Sequence, residues 1–417
     1  MLDSFRLWPR VRARLQSGPF APHLDAVVAV LAERGHSRHA IRLYLHALDV
    51  FGGWLPRHGK VLAQVDDVTV AEFVAWAGRR SSPSRRRKIR DVGSRARQAM
   101  KLMWERDVVV PPAACPPTTE TGRWLRCFDE YLDQVSGATT GTRHNYLRYA
   151  RALAESNARA GTLDWSKLTA DDIVGFVTRE AARLKPSGSR LPVTATRAAL
   201  RFLIATGAVR PGLEGAVPTV RQWSLAPVPR HLQADDLERV IAACGHSTAG
   251  ELRDRAIVLL LARLGLRASE VARIGLKDID WCGGRLIIRR DKSRRERSLP
   301  LLDEVGAALA AYVRFGRPRR VERGVFLMDR PPFAPLTGES VSRLAGRILR
   351  RTGIHVPRPG SHVLRHTAAT QMVRRGATFK QVADVLGHAK LETTAIYAKL
   401  DLQALARVAL AWPEGVR

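Results

Sequence analysis

The sequence predicts a mainly α-helical chain with a small antiparallel sheet: two N-terminal helical bundles followed by a mixed α+β domain. Three observations predict this. Apolar residues recur at three- and four-residue spacings through most of the first 216 residues, with Ser or Thr caps ahead of the runs and Gly or Pro breaks between them. Within that region one stretch reads as a second copy of another. Further on, Arg285-Leu-Ile-Ile-Arg-Arg and Arg297-Ser-Leu-Pro-Leu are two apolar runs around a charged turn, the pattern of a hairpin. The 417 residues, 45% apolar and 26% charged, suffice for several cores and argue against disorder.

The first bundle spans residues 1–110. Its segment from Ser37 to Leu48 aligns with Thr142 to Leu153, and Arg97 to Met103 aligns in apolar phase with Arg197 to Leu203; Val68-Thr69 pairs with Leu168-Thr169. A loop difference of five residues accounts for the change of offset from 105 to 100. Residues 111–121, with Pro111-Pro112 and Pro116-Pro117, read as a stiff linker. The second bundle covers residues 122–216, and each copy is expected to hold four short helices. A second linker covers residues 217–229. In the third domain, residues 230–417, Leu237 to Cys244 and Glu251 to Leu264 read as amphipathic helices, the hairpin follows, and helical segments continue to Trp412.

Charge indicates the partner. Against 39 acidic residues stand 69 basic ones, a net +30, and 59 of the 69 are Arg. Such an excess attracts a polyanion, with nucleic acid ahead of an anionic membrane surface. The longest apolar run in the strongest window, Ala256 to Ala262, has seven residues, whereas about 20 are needed to span a bilayer, so no membrane segment is expected. Residues 1–18 lack the apolar core of a secretory signal, and a cytoplasmic location is the default. Cys115, Cys127, Cys244 and Cys282 are too far apart for zinc pairs or a disulfide framework and read as reduced thiols. Walker A, G-x-G-x-x-G and H-E-x-x-H patterns are absent. The basic residues cluster: nine lie between Arg79 and Arg97, and seven between Arg285 and Arg297. A solvated basic face is the plain reading of either cluster alone; two clusters in separate domains favour a DNA clamp.

The third domain also collects chemistry-bearing side chains. Leu264-Gly265-Leu266-Arg267-Ala-Ser-Glu270 is followed by Lys292 in the hairpin turn, then by His362-Val-Leu-Arg365-His366-Thr367, Leu386-Gly387-His388 and Tyr397. Two Arg offer planar forks for the non-bridging oxygens of a phosphate, two His and a Lys can move protons, and a Tyr can be a nucleophile. That set suits phosphodiester transfer. No Asp/Glu cluster with metal-ligand spacing accompanies it, so neither a metal nor another cofactor is expected. Of the two tyrosines here, Tyr312 belongs to an apolar helix stripe with Val305 and Leu309, which leaves Tyr397; His366 is placed on the structural side. Lys292 stands alone among Arg289, Arg290, Arg294, Arg295 and Arg297. An ammonium can lose its proton where a guanidinium effectively cannot, which makes it the candidate general acid.

Together these residues resemble the tyrosine recombinase or phage integrase family, its Xer-like branch in particular. The match runs from about Pro229 to Leu402 through Gly-Leu-Arg-x-Ser-Glu at 265–270, Lys-x-x-x-Glu-Arg-x-x-Pro at 292–300, His-x-Leu-Arg-His-Thr at 362–367, and Leu-Gly-His with Thr-Thr-x-x-Tyr at 386–397. The resemblance implies a tyrosine-recombinase catalytic domain in which Arg267, Lys292, His362, Arg365 and His388 activate a phosphate that Tyr397 attacks, leaving a 3′-phosphotyrosyl link without ATP or metal. It implies that both helical bundles bind DNA, the one at residues 122–216 as a core-binding SAM-like domain; the first, core-binding-like or arm-binding, is an addition to the usual plan. The expected DNA contacts are Arg85, Arg86, Arg87, Lys88, Arg143, Arg148, Arg197, Arg289, Arg290, Arg294, Arg343 and Arg347. The expected partners are double-stranded DNA carrying a recombination site and a homo-oligomer, a tetramer on paired sites, together with sibling recombinases. The apolar stripe Leu402, Leu405, Ala409 and Trp412 offers a docking tail. Integration, excision or transposition of a mobile element is the expected role; a catalytically silent DNA-binding regulator and a type IB topoisomerase-like enzyme are the competing readings.

Overall fold

Thr119, Thr139, Thr169, Thr248, Thr337 and Thr378 cap helices of this fold with their side chains, where the sequence has its Thr punctuation. The computed structural model describes residues 5–79, 86–110, 119–159, 162–184, 188–219, 231–289, 296–320, 322–388 and 394, with the backbone alone at 79 and 86–91. The chain divides into two compact units, one of Met1–Asp49 with Leu225–Arg417, the other of Val50–Ser224. Among the described residues no helix is long and apolar enough to cross a membrane.

The chain begins with α1 (Pro9–Ser17), α2 (Leu24–Glu33) and α3 (Arg38–Arg57), the last of which passes from the first unit into the second. In the first unit Arg14 clamps the buried Asp49 of α3 with both Nε and Nη2, at 2.8 and 2.6 Å. In the second unit α4 (Asp67–Arg79) and α5 (Arg86–Glu105) follow, and Phe51 packs 4.6 Å from Phe73, with Trp54 5.6 Å from the same ring.

The second bundle is α6 (Glu120–Gln134), α7 (Thr140–Asn157), α8 (Ala170–Ala182) and α9 (Arg190–Ala205), with a two-residue hairpin of β1 (Ala158–Arg159) and β2 (Thr162–Leu163). Its core gathers Phe128, Leu153, Trp165, Ile173, Phe176 and Leu200. Among the described residues the second copy has the four helices expected, whereas residues 1–110 hold five, α1–α5, divided between the two units after Asp49, and one aligned pair is not equivalent. Thr169 caps α8, its hydroxyl accepting from the Asp172 N–H at 3.2 Å, whereas Thr69 lies inside α4 and donates to Asp66 at 2.7 Å. An Asp three residues earlier takes the cap in the first copy, so the helix starts there.

In the first unit's larger part, α10 (Ala234–Ala242) and α11 (Ala249–Ala262) form where expected. A reciprocal box starts α11: the Thr248 hydroxyl accepts from Glu251 N–H at 3.2 Å, and the Glu251 carboxylate accepts from Thr248 N–H at 3.0 Å. The amphipathic expectation for α11 fails, because Ala256 through Ala262 are all buried. Neighbours cover this helix on every side, among them α10, α12 (Ala268–Arg273), α13 (Asp303–Ala311), α14 (Gly338–Arg351) and α15 (Ser361–Arg374); α16 (Phe379–Leu386) packs on α15. Tyr312 is buried beside Phe326, its hydroxyl accepting from Leu327 N–H at 3.3 Å, in the structural role expected of it.

The sheet has three strands rather than two: β3 (Ile279–Asp280), β4 (Arg285–Ile288) and β5 (Arg297–Pro300), antiparallel in that order. Two residues are too few for an alternating pattern to show, which hid β3. Leu286 pairs with Leu299 and Ile288 with Arg297, and Leu286, Ile288 and Leu299 face inward. By the two-residue period Arg297 shares that inward face, and its side chain is only 12% exposed. Arg297 is therefore not part of a solvated basic face.

Candidate active site

Three arginines and one glutamate meet at the end of α16. Gly265 turns the chain out of α11 with φ +63°, and a Cβ there would stand 2.6 Å from Leu386 Cδ2 and 3.3 Å from Ala368 Cβ, so a residue without a side chain is required. Arg267 follows as the cap of α12, its N–H donating to Glu270 at 2.8 Å. Its guanidinium donates to Glu270 Oε1 at 2.9 Å, to Leu386 O at 3.1 Å and to Gly387 O at 3.2 Å.

Arg365 comes from α15 and is buried. It donates to Gly265 O and, at 2.9 Å, to Leu386 O, so both arginines grip one carbonyl. That carbonyl is available because α16 ends there. Gly387 takes the left-handed conformation at φ +62°, and its N–H and that of His388 turn back to Asp384 O and Ala383 O. The same turn delivers His388, whose Nδ1 hydrogen-bonds the hydroxyl of the fully buried Thr394 at 2.7 Å. His362, three residues before Arg365 on α15, is exposed. His366 is half-buried; burial first, then the charges of His362 and Arg365, push its imidazole down to about 4, which keeps it neutral at neutral pH.

Glu270 is the hub. Besides Arg267 it accepts from Arg297, Nη1 to Oε1 at 3.2 Å and Nη2 to Oε2 at 2.9 Å, and Arg365 Nη1 lies 4.0 Å away. Burial raises the carboxyl, but the hydrogen bonds and charge of Arg297 and the Arg267 contacts outweigh it and bring the group down to about 2. Arg297 also donates from Nε to Val385 O at 3.0 Å, so three successive carbonyls at the α16 terminus, 385, 386 and 387, are held by guanidinium groups. Cations suit this end of a helix.

Thus Arg267, Arg365 and His388 converge, with His362 on the same helix as Arg365. Lys292 and Tyr397 lie outside the described residues, as do Arg85, Arg290, Arg294 and the tail from Leu402 to Trp412; Arg86, Arg87 and Lys88 belong to α5 without described side chains. Arg143 is held by two acids, donating to both oxygens of Asp129 at 2.7 Å and pairing with Asp133 at 2.6 Å. Arg197 donates to Val217 O and the Thr219 hydroxyl, both at 3.2 Å, and Arg289 to Asp278. Arg148 is exposed above the Tyr149 ring at 5.0 Å; Arg343, beside Glu339, and Arg347 are exposed on α14. Glu270 and Arg297 stand inside the sequence motifs with no task evident from the sequence. The signal available was the inward register of Arg297 opposite Ile288, which demands a buried carboxylate.

The Phage integrase family profile matches residues 230–403, and the profile described as the phage integrase N-terminal SAM-like domain matches residues 28–90. An integrase/recombinase of Sinorhizobium fredii, y4rA, is 32% identical over 402 residues, covering 96% of this chain and 96% of its own. The chain belongs to the phage integrase family. It is a tyrosine-recombinase enzyme by that membership. The SAM-like profile of the family falls on residues 28–90 and not on residues 122–216. Two solved structures share the integrase fold: XerH site-specific recombinase bound to palindromic difH substrate (TM-score 0.57, 17% identity, 83% of this chain and 95% of that one), and a lambda integrase tetramer bound to a Holliday junction (TM-score 0.51, 18% identity, 72% and 85%).

Proposed function

We propose that this integrase-family enzyme recombines double-stranded DNA at specific sites by the following division of labour. Arg267 and Arg365 grip the non-bridging oxygens of the scissile phosphate, with His362 and His388 beside them as further donors. As it gives up its proton to solvent, the Tyr397 oxygen attacks phosphorus, forming the O–P bond of a 3′-phosphotyrosine as the bond to the 5′-oxygen breaks, and Lys292 protonates that leaving oxygen. A 5′-hydroxyl of a partner strand then attacks the phosphotyrosine and reverses the chemistry, so strands exchange with no net loss of phosphodiester bonds. The observation that carries the assignment is the convergence of Arg267 and Arg365 on the Leu386 carbonyl next to His388. Two guanidinium groups brought side by side are the charge that the non-bridging oxygens of a phosphate need, and each well-placed donor is worth about 2.7–4 kcal/mol in comparable anionic transition states.

The division into an N-terminal bundle at 1–110, a second bundle at 122–216 and a catalytic domain from 230 is part of this proposal, as are a tetramer on paired DNA sites and a cytoplasmic location. So are phosphate contacts from Arg148, Arg343, Arg347 and the basic stretch through Arg85, Arg86, Arg87 and Lys88. Movement of a mobile element is the role that fits an added DNA-binding bundle.

The test uses a nicked substrate from which the cleaved strand diffuses away. Wild-type protein in the presence of a chelator and without ATP should accumulate a denaturant-resistant protein–DNA adduct. Lys292→Ala should be strongly impaired on ordinary DNA and largely restored when the bridging 5′-oxygen is sulfur, which leaves without a proton. Rescue of His362→Ala or His388→Ala but not of Lys292→Ala would move the acid to a histidine.

A further inference from the structure

We infer that Arg297 is a positioning residue for strand cleavage: by sharing Glu270 with Arg267 it limits the pull of that carboxylate on the guanidinium groups of Arg267 and Arg365, and so sets how they meet the phosphate. The inference rests on the phosphate-gripping role proposed above and adds a residue to it.

The geometry is that of a competition for one carboxylate. Glu270 is buried, carries a full charge, and has the guanidinium groups of Arg267 and Arg297 on its oxygens with that of Arg365 4.0 Å off. Arg297 approaches from β5 with its two terminal nitrogens on the two carboxylate oxygens, while its Nε is fixed to Val385 O at 3.0 Å. Its path is tight: a Cβ on Gly387 would stand 2.5 Å from Arg297 Nη1. A buried carboxylate that loses its fork partner takes compensation from the nearest cations. Here those are Arg267 and Arg365, the two side chains that must face a phosphate. The charge that Arg297 supplies thus acts through Glu270 and sets where the other two point. Its contact with Val385 O also braces the turn that presents His388.

Removing Arg297 alone and removing both members of the pair should therefore have opposite consequences. Arg297→Gln leaves Glu270 charged and should lower adduct formation on the nicked substrate by roughly a hundredfold, the order lost with one charge-stabilising donor. Glu270→Gln/Arg297→Gln removes the competition along with the partner and should recover at least tenfold of that loss, although it has one more substitution. Arg297→Lys, which keeps a charge beside Glu270 but not the fork, should fall between wild type and Arg297→Gln. DNA affinity and melting temperature are measured for all of them, since Arg297→Gln leaves a buried charge that can also unfold the domain; the double variant carries no such charge and remains a fair test. A double variant no more active than Arg297→Gln would overturn the inference, because it would make Arg297 a substrate contact or a plain brace. Loss that follows melting temperature across the series would overturn it equally. Wild type and Tyr397→Phe run alongside: an adduct that persists in Tyr397→Phe faults the proposed chemistry, whereas a clean contrast there with no recovery in the double variant faults Arg297 alone.

Discussion

Replacing Gly265 by Ala should damage the site far more than the size of a methyl group suggests. At φ +63° an L-residue pays roughly 1–2 kcal/mol in backbone strain. The new Cβ would also stand 2.6 Å from Leu386 Cδ2, a side chain with no exposed surface and a neighbour, Ala368, already at 3.3 Å from the same point. Overpacking of that kind costs about 1–3 kcal/mol more. Gly353 supplies the control: its φ is +71° and a Cβ there meets nothing within 4 Å, so Gly353→Ala should show the strain alone. The difference of about 1–3 kcal/mol corresponds to some 2–12 °C in melting temperature for a domain of this size, read by thermal scanning of both variants. Because the displaced Leu386 carries the carbonyl held by Arg267 and Arg365, Gly265→Ala should also lose cleavage activity that Gly353→Ala retains. Equal destabilisation by the two substitutions, or full activity in Gly265→Ala, would refute the reasoning.

Glu270 makes stability depend on acid: its folded carboxyl lies near 2 against an ordinary 4.5, so the stabilisation is complete above about pH 4.5 and is lost as pH falls toward 2, by roughly 3 kcal/mol at most. Chemical denaturation across that window should be steeper for wild type than for Glu270→Gln/Arg297→Gln, and parallel curves would count against the buried pair. His366, held neutral with a folded value near 4, should add stability that is complete above about pH 6.5 and declines between 6.5 and 4; its imidazole carbon resonance titrating near 6.5 instead would contradict the burial. Arg143→Ala should cost about 1 kcal/mol through its lost pairs with Asp129 and Asp133 and leave the salt dependence of DNA binding unchanged, whereas Arg148→Ala should reduce the log–log slope by about 0.9; the opposite pattern would exchange their roles.

The sequence made the helices legible wherever punctuation and period agreed, as at Thr248 before α11 and Gly387 after α16. It misled where a helix is enclosed on all sides, since α11 keeps polar residues only in its first turns and then no outward face, and where a strand is as short as β3. For the site, Arg267, Arg365 and His388 are legible as a set because phosphate chemistry demands those types, but the meeting of Arg267 with Arg365 at Leu386 O depends on a contact between Arg267 and a residue 119 positions away in sequence. Glu270 and Arg297 escaped notice for the converse reason. An Arg in a chain with 59 of them has no signature until the register of β5 turns it inward, and Arg143, which the sequence presents as a DNA contact, has its guanidinium on Asp129 in the structure.

The central claim is that Tyr397 becomes covalently joined to DNA. Digestion of the trapped adduct with protease and nuclease, followed by mass spectrometry of the remaining peptide, reads the linkage directly. The account predicts a nucleotide-bearing peptide modified at Tyr397 through a 3′-phosphate, absent from Tyr397→Phe; a modification at any other residue, or an adduct that forms undiminished in Tyr397→Phe, would contradict it.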